Sequence, residues 1–394
     1  MSVGRGDAVA LTRVLVRLDS RNPSLVPGAP GEDAAARALA ETLRAWGLDV
    51  DVRDAAPGRP NVVVHAGRAA GGRTLMFNGH LDVVGTDGMR HPPFDAAERD
   101  GKLYGRGSAD MKGGVAAMCA AAARAMDAGL AGELVIAAVV DEEFASIGTR
   151  ALLDAGVRAD AAVVTEPTRL AIAPAHRGFA WFTVTVHGRA AHGSRYDIGI
   201  DAIRHAGLLL AELDALEERE LTRRTHPLLG HASLHASSIE GGIGMTTYPD
   251  RCTLRIERRT MPGERASDAL AELQAAITRV RTRRPAFAAD VAFDLAQPPS
   301  DVPPSAPIVR AIGDAIARTG GTPHLEGLSA WTDAALLNDA GIPAICYGPG
   351  DIALAHAAEE WIPVHEIERA TDTLARLALD WCGPANSGNS AWPG

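Results

Sequence analysis

Short apolar runs that end at acidic or imidazole side chains constrain the fold of this chain more than any other feature of its sequence. The side chains that follow such runs are His80, Glu142, Glu143 and Glu166. Runs of this length, bounded by polar residues, predict buried β-strands. These side chains are therefore expected where strands end, a place where ligand and metal sites are often built.

Segments with apolar residues at helical spacing alternate with the predicted strands. They cover residues 8–18 and 32–46, and the almost entirely small or apolar segment 113–126 predicts a helix buried against a sheet. Alternation of this kind predicts the α/β class, with a mixed, largely parallel sheet that helices cover on both faces.

The pattern changes near residue 177. The segments that follow are a predicted strand over 179–186, a helix over 199–216, a strand over 251–258, a helix over 266–280 and a strand over 290–295. Their strands interleave polar and apolar residues, which predicts a small sheet with helices on one face, an α+β insert. The proline-rich stretch 297–304 ends the insert. We therefore predict a catalytic domain over residues 1–176 and 298–394, interrupted by a lid domain over 177–297.

Length and composition narrow the class of protein. A chain of 394 residues exceeds what one hydrophobic core normally organises, and 46% apolar with 22% charged residues is typical of a globular protein. The net charge of −10 argues against nucleic acid or an anionic membrane as a partner, because clustered Lys and Arg bind both. A small molecule is the preferred partner.

The location of the protein is predicted only from signals that the sequence lacks. No apolar stretch has the length of a secretion signal or a membrane span, so a cytoplasmic location is expected. The tail 383–394 is expected to be mobile. The four cysteines have no Cys-x-x-Cys spacing and are expected to be reduced and buried.

Each candidate metal ligand has a structural alternative. His80 taken alone is more often a hydrogen-bonded structural histidine than a ligand. The carboxylate of Asp82, two residues on, can accept the proton of the second imidazole nitrogen, as the outer partners of metal-binding histidines do. Asp110 precedes two glycines and a helix, so helix capping and metal ligation are equally open for it.

The acidic residues near the strand ends strengthen the metal hypothesis when they are taken together. Glu142 and Glu143 follow Asp141 at the end of an apolar run, and three adjacent carboxylates repel one another unless cations neutralise them. The alternative is a solvated turn. Glu166 could merely end a strand before a proline, and His356 could lie in a surface loop. Together, two imidazoles and three or four carboxylates suit two first-row divalent ions that share an aspartate, with zinc favoured and manganese or cobalt as alternatives.

Other site motifs are missing from the sequence. Residues 105–110 lack the third glycine of a dinucleotide-binding fingerprint. The chain has no Gly-x-x-x-x-Gly-Lys phosphate loop, no Gly-x-Ser-x-Gly elbow and no His-Glu-x-x-His helix. A dinuclear metal site therefore has no strong rival.

The motifs around these residues resemble, in the same order, those of the M20 metallopeptidase family. That family includes acetylornithine deacetylase, succinyl-diaminopimelate desuccinylase, aminoacylase and glutamate carboxypeptidase. The resemblance extends over about residues 8–380 and rests on Asn-Gly-His80-Leu-Asp82, Ser-Ala-Asp110-Met-Lys-Gly-Gly, Asp-Glu142-Glu143, Thr-Glu166-Pro, Gly-Arg-Ala-Ala-His192-Gly-Ser, Arg259-Thr-Met-Pro-Gly-Glu, Thr332-Asp333-Ala and Tyr347-Gly-Pro-Gly followed by His356.

The resemblance implies two metal sites that share one ligand. Asp110 would bridge the two ions, His80 and Glu166 would complete one site, and Glu143 and His356 would complete the other. Two such ions lower the pKa of a bridging water and polarise an amide oxygen.

The resemblance also implies roles for residues that are not ligands. Asp82 would orient His80, and Glu142 would be the general base. His192 of the lid would polarise the scissile carbonyl, commonly from the facing subunit of a homodimer formed through the lid. Arg259 would hold the substrate carboxylate.

The function implied is metal-dependent hydrolysis of the amide bond in an N-acyl amino acid, through a metal-bridging water, as in acetylornithine deacetylase. A dipeptidase or carboxypeptidase and an N-carbamoyl amino acid hydrolase are alternatives of the same architecture. An inactive binding or scaffold relative is an alternative of a different class.

Two features of the insert bear on the substrate. Thr246 stands where relatives often have Asn, which puts one substrate contact in doubt. Arg255, Arg258, Arg259 and Arg265 have no evident acidic partner, and a guanidinium that faces the cleft would favour an anionic substrate.

Overall fold

The computed structural model describes residues 3–67 and 72–383. The tail that the sequence predicts to be mobile lies outside this range from residue 384 onward. The described α-helices, in chain order, are α1 (Ala8–Val16), α2 (Asp33–Ala45), α3 (Gly113–Asp127), α4 (Ile147–Asp154), α5 (Ala202–Arg219), α6 (Ala266–Arg283), α7 (Pro307–Arg318), α8 (Ala334–Asp339) and α9 (Val364–Trp381).

The strands described, in chain order, are β1 (Val50–Ala56), β2 (Arg59–Gly67), β3 (Thr74–His80), β4 (Glu98–Arg99), β5 (Lys102–Tyr104), β6 (Glu133–Val139), β7 (Ala161–Val164), β8 (Ile172–His176), β9 (Gly178–His187), β10 (Thr225–His226), β11 (Gly230–His231), β12 (Ser233–Gly241), β13 (Arg251–Thr260), β14 (Ala288–Gln297), β15 (Ser300–Asp301), β16 (Leu325–Leu328), β17 (Ala344–Cys346) and β18 (Trp361–Pro363).

The chain divides into two compact units. The first contains the described residues up to Pro174, Val302–Gly327 and the described residues from Thr332 onward, and the second contains Ala175–Asp301 and Leu328–Trp331. Within the described ranges, no helix is both long and apolar enough to cross a membrane.

The first unit is built on a mixed sheet with strand order β1-β2-β6-β3-β7-β17-β8. The four central strands β6, β3, β7 and β17 are parallel, whereas β1, β2 and β8 pair antiparallel at the two sides. Helix α3 contacts β3 and β6 and packs against α1 and α9, while α2 and α4 contact β1 and β2. The predicted α/β class with a mixed sheet is confirmed.

Strand β3 and helix α3 lie in the core of the first unit. Strand β3 is buried from Leu75 to His80, as expected for a central parallel strand that is covered on both faces. Helix α3 is buried along almost its whole length because its residues are small or apolar. Its glycine at position 114 allows a close approach, since a Cβ there would lie 1.9 Å from the main-chain oxygen of Thr165.

The second unit contains an antiparallel sheet of strand order β12-β13-β9-β14. Alternate residues of β9 and β13 are buried, among them Phe182, Val184, Leu254 and Ile256. They form a hydrophobic core with apolar residues of α5 and α6, so the two helices cover one face of the sheet. This is the α+β arrangement that the alternating pattern of residues 177–297 predicts.

Candidate metal centre

The carboxyl ends of three neighbouring parallel strands meet at one edge of the sheet in the first unit. Strand β3 ends at His80, the glutamates at 142 and 143 follow β6, and Glu166 follows β7. In the register of these strands His80 is the partner of Val139 and Asn78 is the partner of Val164. Parallel pairing therefore brings together side chains that are far apart in sequence.

Asp110 reaches the same edge from an irregular turn that precedes α3. Residues Ser108–Lys112 form a wide helical turn in which Asp110 has non-helical dihedral angles of φ −117° and ψ 93°. The peptide bond between Asp110 and Met111 is cis. The N-cap position of α3 is Lys112, and no side chain makes a capping hydrogen bond there, so helix capping by Asp110, one of the two readings left open by the sequence, is not observed.

The first group of candidate ligands is His80, Asp110 and Glu166. One ligand atom from each residue lies within 4.8 Å of the others, and all three side chains are buried. His80 Nε2 lies 3.1 Å from Asp110 Oδ1 and 4.0 Å from Glu166 Oε1. The nitrogen and the two oxygens thus surround one small volume of the size that a divalent ion needs.

The second group is Asp110, Glu143 and His356, again with ligand atoms within 4.8 Å of one another. His356 Nε2 lies 3.0 Å from Glu143 Oε2 and 3.5 Å from Asp110 Oδ2. The Oδ1 atom of Asp110 faces the first group, and its Oδ2 atom faces the second. A carboxylate with one oxygen directed at each group has the geometry of a bridging ligand.

Three buried glutamates lie close to one another at this centre. Burial raises the pKa of Glu142, Glu143 and Glu166, and repulsion from neighbouring carboxylates raises these pKa values further. Divalent cations between the carboxylates would remove this repulsion. The donor set of imidazole nitrogens and carboxylate oxygens suits zinc, cobalt or manganese, so the residues present fit two such ions.

The pKa values of the two histidines are also raised, which for an imidazole favours the charged form. Burial opposes ionisation of His80, yet Asp110 and the surrounding carboxylates raise its pKa well above the ordinary value. Hydrogen bonds to Asp110 and Glu143 raise the pKa of His356 to about 10. In the protein alone, protons on these imidazoles supply positive charge that bound cations would replace.

Glu142 lies beside His80 of the first group but belongs to neither group. Its Oε2 atom is 3.8 Å from His80 Nε2, farther than the 3.1 Å between that nitrogen and Asp110. Its Oε1 atom is buried and has no hydrogen-bond partner within residues 3–67 and 72–383. A buried carboxylate oxygen normally accepts a hydrogen bond, and a bound water molecule would donate one to this atom.

Asp82 contacts the centre differently from the sequence expectation. His80 Nδ1 lies 2.8 Å from the main-chain oxygen of Asp82 but 3.6 Å from its carboxylate, so the carbonyl is the nearest group that orients the imidazole. The carboxylate instead accepts the main-chain N–H groups of Glu142 and Glu143, at 3.2 and 3.1 Å, and the side-chain amide of Asn22 at 2.8 Å. Asp82 therefore fixes the turn that carries the two glutamates.

Asp333 belongs to the Thr332-Asp333-Ala motif, for which the sequence predicts no role. It is buried near His80. Its Oδ2 atom accepts a hydrogen bond of 2.6 Å from Thr149 Oγ1, which in turn accepts one from Asn78 at 3.2 Å. Burial raises the pKa of Asp333 to about 6. The sequence offered no sign of these contacts, because Thr149 and Asp333 lie on distant segments.

The residues assigned to substrate contacts lie in the second unit. Arg259, at the end of β13, donates to the main-chain oxygen of Ser329 at 2.7 Å and to Glu257 at 3.4 Å. His192 is exposed, with Nδ1 2.9 Å from Ser194 Oγ. The main-chain oxygen of Thr246 accepts the Gly193 N–H at 2.7 Å, so the loop with the unusual threonine borders the loop of His192.

Two of the four arginines that seemed unpaired in the sequence have acidic partners: Arg259, which contacts Glu257, and Arg258. Arg258 is buried and donates to Glu264 at 2.9 Å and to Glu272 at 3.0 Å. The expectation that it lacks an acidic partner is wrong, because the two glutamates come from the turn and the helix after β13. Arg259, the neighbouring residue, projects to the other face of the strand.

A mixed α/β sheet with two candidate metal-binding groups that share one aspartate defines the class of dinuclear metal hydrolases. The sequence model of the peptidase family M20/M25/M40 matches residues 76–380 of this chain. The chain belongs to this family, and it is an enzyme that hydrolyses amide or peptide bonds.

Three similar proteins illustrate the range of the family. An acetylornithine deacetylase of Myxococcus xanthus is 32% identical over 330 residues, which cover 82% of this chain and 84% of the relative. An N-formyl-4-amino-5-aminomethyl-2-methylpyrimidine deformylase of Bacillus subtilis is 28% identical over 376 residues, with 87% and 88% covered. The crystal structure of a dinuclear metal-binding M20 peptidase of Bacillus subtilis matches with a TM-score of 0.71 at 17% identity, over 94% of this chain and 96% of that one.

Proposed function

We propose that this protein hydrolyses the amide bond of N-acyl amino acids with a dinuclear metal centre. The observation that carries the proposal is the pair of ligand groups that share Asp110, with the unpartnered oxygen of Glu142 beside them. The acetylornithine deacetylase relative, which acts on an N-acyl amino acid by its name, supports this choice of substrate class.

In this proposal His80, Asp110 and Glu166 hold one ion, and Asp110, Glu143 and His356 hold the other. When bound, the two ions supply Lewis acidity that polarises the amide carbonyl and makes a water molecule more acidic. We favour zinc because the ligands are imidazole and carboxylate groups, which also suit cobalt and manganese.

Glu142 moves the proton. Its Oε1 atom accepts a proton from the attacking water and then donates that proton to the nitrogen of the departing amine, so that one carboxylate serves first as base and then as acid. The carbonyl of Asp82 holds His80 in one tautomer through Nδ1, and the carboxylate of Asp82 holds the main chain of Glu142.

The second unit would contribute substrate contacts. Arg259 would pair with the substrate carboxylate, for which a guanidinium offers two parallel donors. His192 would donate to the oxygen of the scissile carbonyl, supplied by the second chain of a homodimer that forms through residues 177–297. We propose the functional division into a catalytic domain, residues 1–176 and 298–394, and a lid that also dimerises. Sedimentation that finds only monomer at working concentration would contradict this role for His192.

The compartment is proposed to be the cytoplasm. All four cysteines, Cys119, Cys252, Cys346 and Cys382, are buried and free, and a reducing compartment maintains cysteines in that state.

Cleavage of a peptide bond is the second candidate, since peptidases share this fold. A substrate panel with metal-loaded protein separates the two. N-acetyl, N-succinyl, N-formyl and N-carbamoyl amino acids are assayed beside dipeptides, and metal content is measured on the same sample. The proposal expects the highest kcat/KM among the N-acyl amino acids. A higher kcat/KM for dipeptides would identify the protein as a dipeptidase, and a higher kcat/KM for N-carbamoyl amino acids would identify it as an N-carbamoyl amino acid hydrolase.

A further inference from the structure

A fully buried glutamate outside both ligand groups binds the turn that carries Asp110. The carboxylate of Glu360 accepts four hydrogen bonds. Its Oε2 atom accepts Arg106 Nη1 at 2.7 Å and the Gly107 N–H at 3.0 Å, and its Oε1 atom accepts the N–H groups of Ala109 at 3.0 Å and Asp110 at 3.2 Å. One side chain thus accepts three main-chain N–H groups of the turn.

The conformation of the turn explains why a carboxylate is needed there. Gly107 has a left-handed φ of 79°, and Asp110 departs from helical dihedral angles, so their N–H groups lack the usual partners of a helix. Buried N–H groups without partners would disfavour this conformation. Glu360 supplies the acceptors, and its negative charge balances the buried guanidinium of Arg106.

The same side chains connect this turn to the loop of His356. Arg106 donates from Nη2 to the main-chain oxygen of Ala357 at 3.4 Å, and the Gly105 N–H donates to the main-chain oxygen of Glu360 at 3.2 Å. His356 itself has a left-handed φ of 59°, which is uncommon for a residue other than glycine. Two ligand-bearing loops are therefore fixed to each other through one buried ion pair.

We propose that Glu360 is a positioning residue that sets the separation of Asp110 and His356 and so determines the affinity for both metal ions. This inference rests on the proposed dinuclear function, because Asp110 belongs to both ligand groups. Residues that orient metal ligands from outside commonly change metal affinity by about 10- to 100-fold when they are replaced.

The variant Glu360→Gln tests the role with little change of volume. A glutamine has one acceptor oxygen and an NH₂ group that only donates, so two of the four groups that donate to Glu360 would face the NH₂ group and lose their acceptor. Arg106 would also lose the negative charge that balances its guanidinium. Glu359→Gln is the matched control, because the neighbouring side chain is 56% exposed and lies 3.6 Å from the exposed Arg90.

The measurement is the affinity of the metal-stripped full-length protein for Zn²⁺, by competition with a chromophoric chelator. We expect Glu360→Gln to bind both ions about 10- to 100-fold more weakly and Glu359→Gln to bind them as the wild type does. A second readout is activity against free metal concentration. The metal concentration for half-maximal activity should rise by the same factor, while kcat at saturating metal returns close to the wild-type value.

Several results would overturn the inference. Wild-type affinity in Glu360→Gln would do so, as would equal weakening in the Glu359→Gln control. Loss of kcat that excess metal does not restore would indicate a general structural role instead. If the glutamine variant does not fold, Glu360→Asp is measured, and wild-type affinity in that variant overturns the proposal. A wild-type protein that binds no divalent ion would remove the proposed function together with this inference.

Discussion

Replacing Glu142 by glutamine separates catalysis from metal binding. Glu142 is in neither ligand group, and its Oε2 atom lies 3.8 Å from His80 Nε2, whereas Asp110 lies 3.1 Å from it. The variant should therefore keep its metal. A glutamine cannot accept the water proton, and general-base catalysis contributes about 10²- to 10⁴-fold in rate. We expect kcat to fall by at least about 100-fold, a barrier higher by about 2.7 kcal/mol or more.

The adjacent glutamate provides the matched control. Glu143→Gln makes the same chemical change one residue away, but Glu143 Oε2 lies 3.0 Å from His356 Nε2 within the second ligand group. This variant should lose affinity for one ion, and excess metal should restore part of its activity. Metal content by mass spectrometry and kcat on an N-acetyl amino acid are measured for both variants. Near-normal kcat in a fully metal-loaded Glu142→Gln protein would refute the assignment of the base.

Two further substitutions test other parts of the account. Arg59→Met removes the cation that pairs with the buried carboxylates of Glu32 and Asp141, and loss of one partner from a buried ion pair costs about 3–5 kcal/mol. Urea unfolding should show this loss, whereas Arg37→Met, in an exposed pair, should leave the free energy of unfolding close to the wild-type value. Arg259→Ala should raise KM about 10- to 150-fold with little change in kcat, as expected for loss of a charged hydrogen bond worth about 1.5–3 kcal/mol. A substrate with an amidated carboxyl group should give the same KM for both proteins, and a lower kcat with unchanged KM would contradict a binding role.

The elements that carry the site could be predicted from the sequence because they have strong local patterns. The apolar run that precedes Glu166 forms strand β7 (Ala161–Val164), and the predicted helix over 113–126 differs from α3 by one residue. Apolar runs indicate buried strands, and long runs of small apolar residues indicate a buried helix. The family motifs then pointed to candidate ligands at the ends of these elements.

Among the elements that the sequence did not predict, two were missed for different reasons. Strand β12 (Ser233–Gly241) is exposed along most of its length, and a register shift after Ala236 breaks its alternation of polar and apolar residues. Its pairing with β13 identifies it as a strand. Helix α9 (Val364–Trp381) does have a signal that could have found it. Its apolar residues recur at helical spacing, and Ile367, Leu374 and Trp381 are buried.

The supporting contacts of the site could not be predicted from the sequence. The carboxylate of Asp82 binds main-chain N–H groups about sixty positions away, and Glu360 binds a turn about two hundred and fifty positions away. A side chain that accepts hydrogen bonds from the main chain of a distant segment leaves no pattern in the sequence. Every residue except proline carries a main-chain N–H group, so the residue types of that segment do not reveal the contact.

The number of bound ions in ligand variants tests the central claim most directly. The account predicts that the wild-type chain binds two divalent ions, that His356→Ala binds one, and that Asp110→Ala binds neither at the same free metal concentration, because Asp110 alone belongs to both groups. The stoichiometry is measured by equilibrium dialysis followed by mass spectrometry for metal. An Asp110→Ala chain that still binds two ions with wild-type affinity would contradict the shared-aspartate centre.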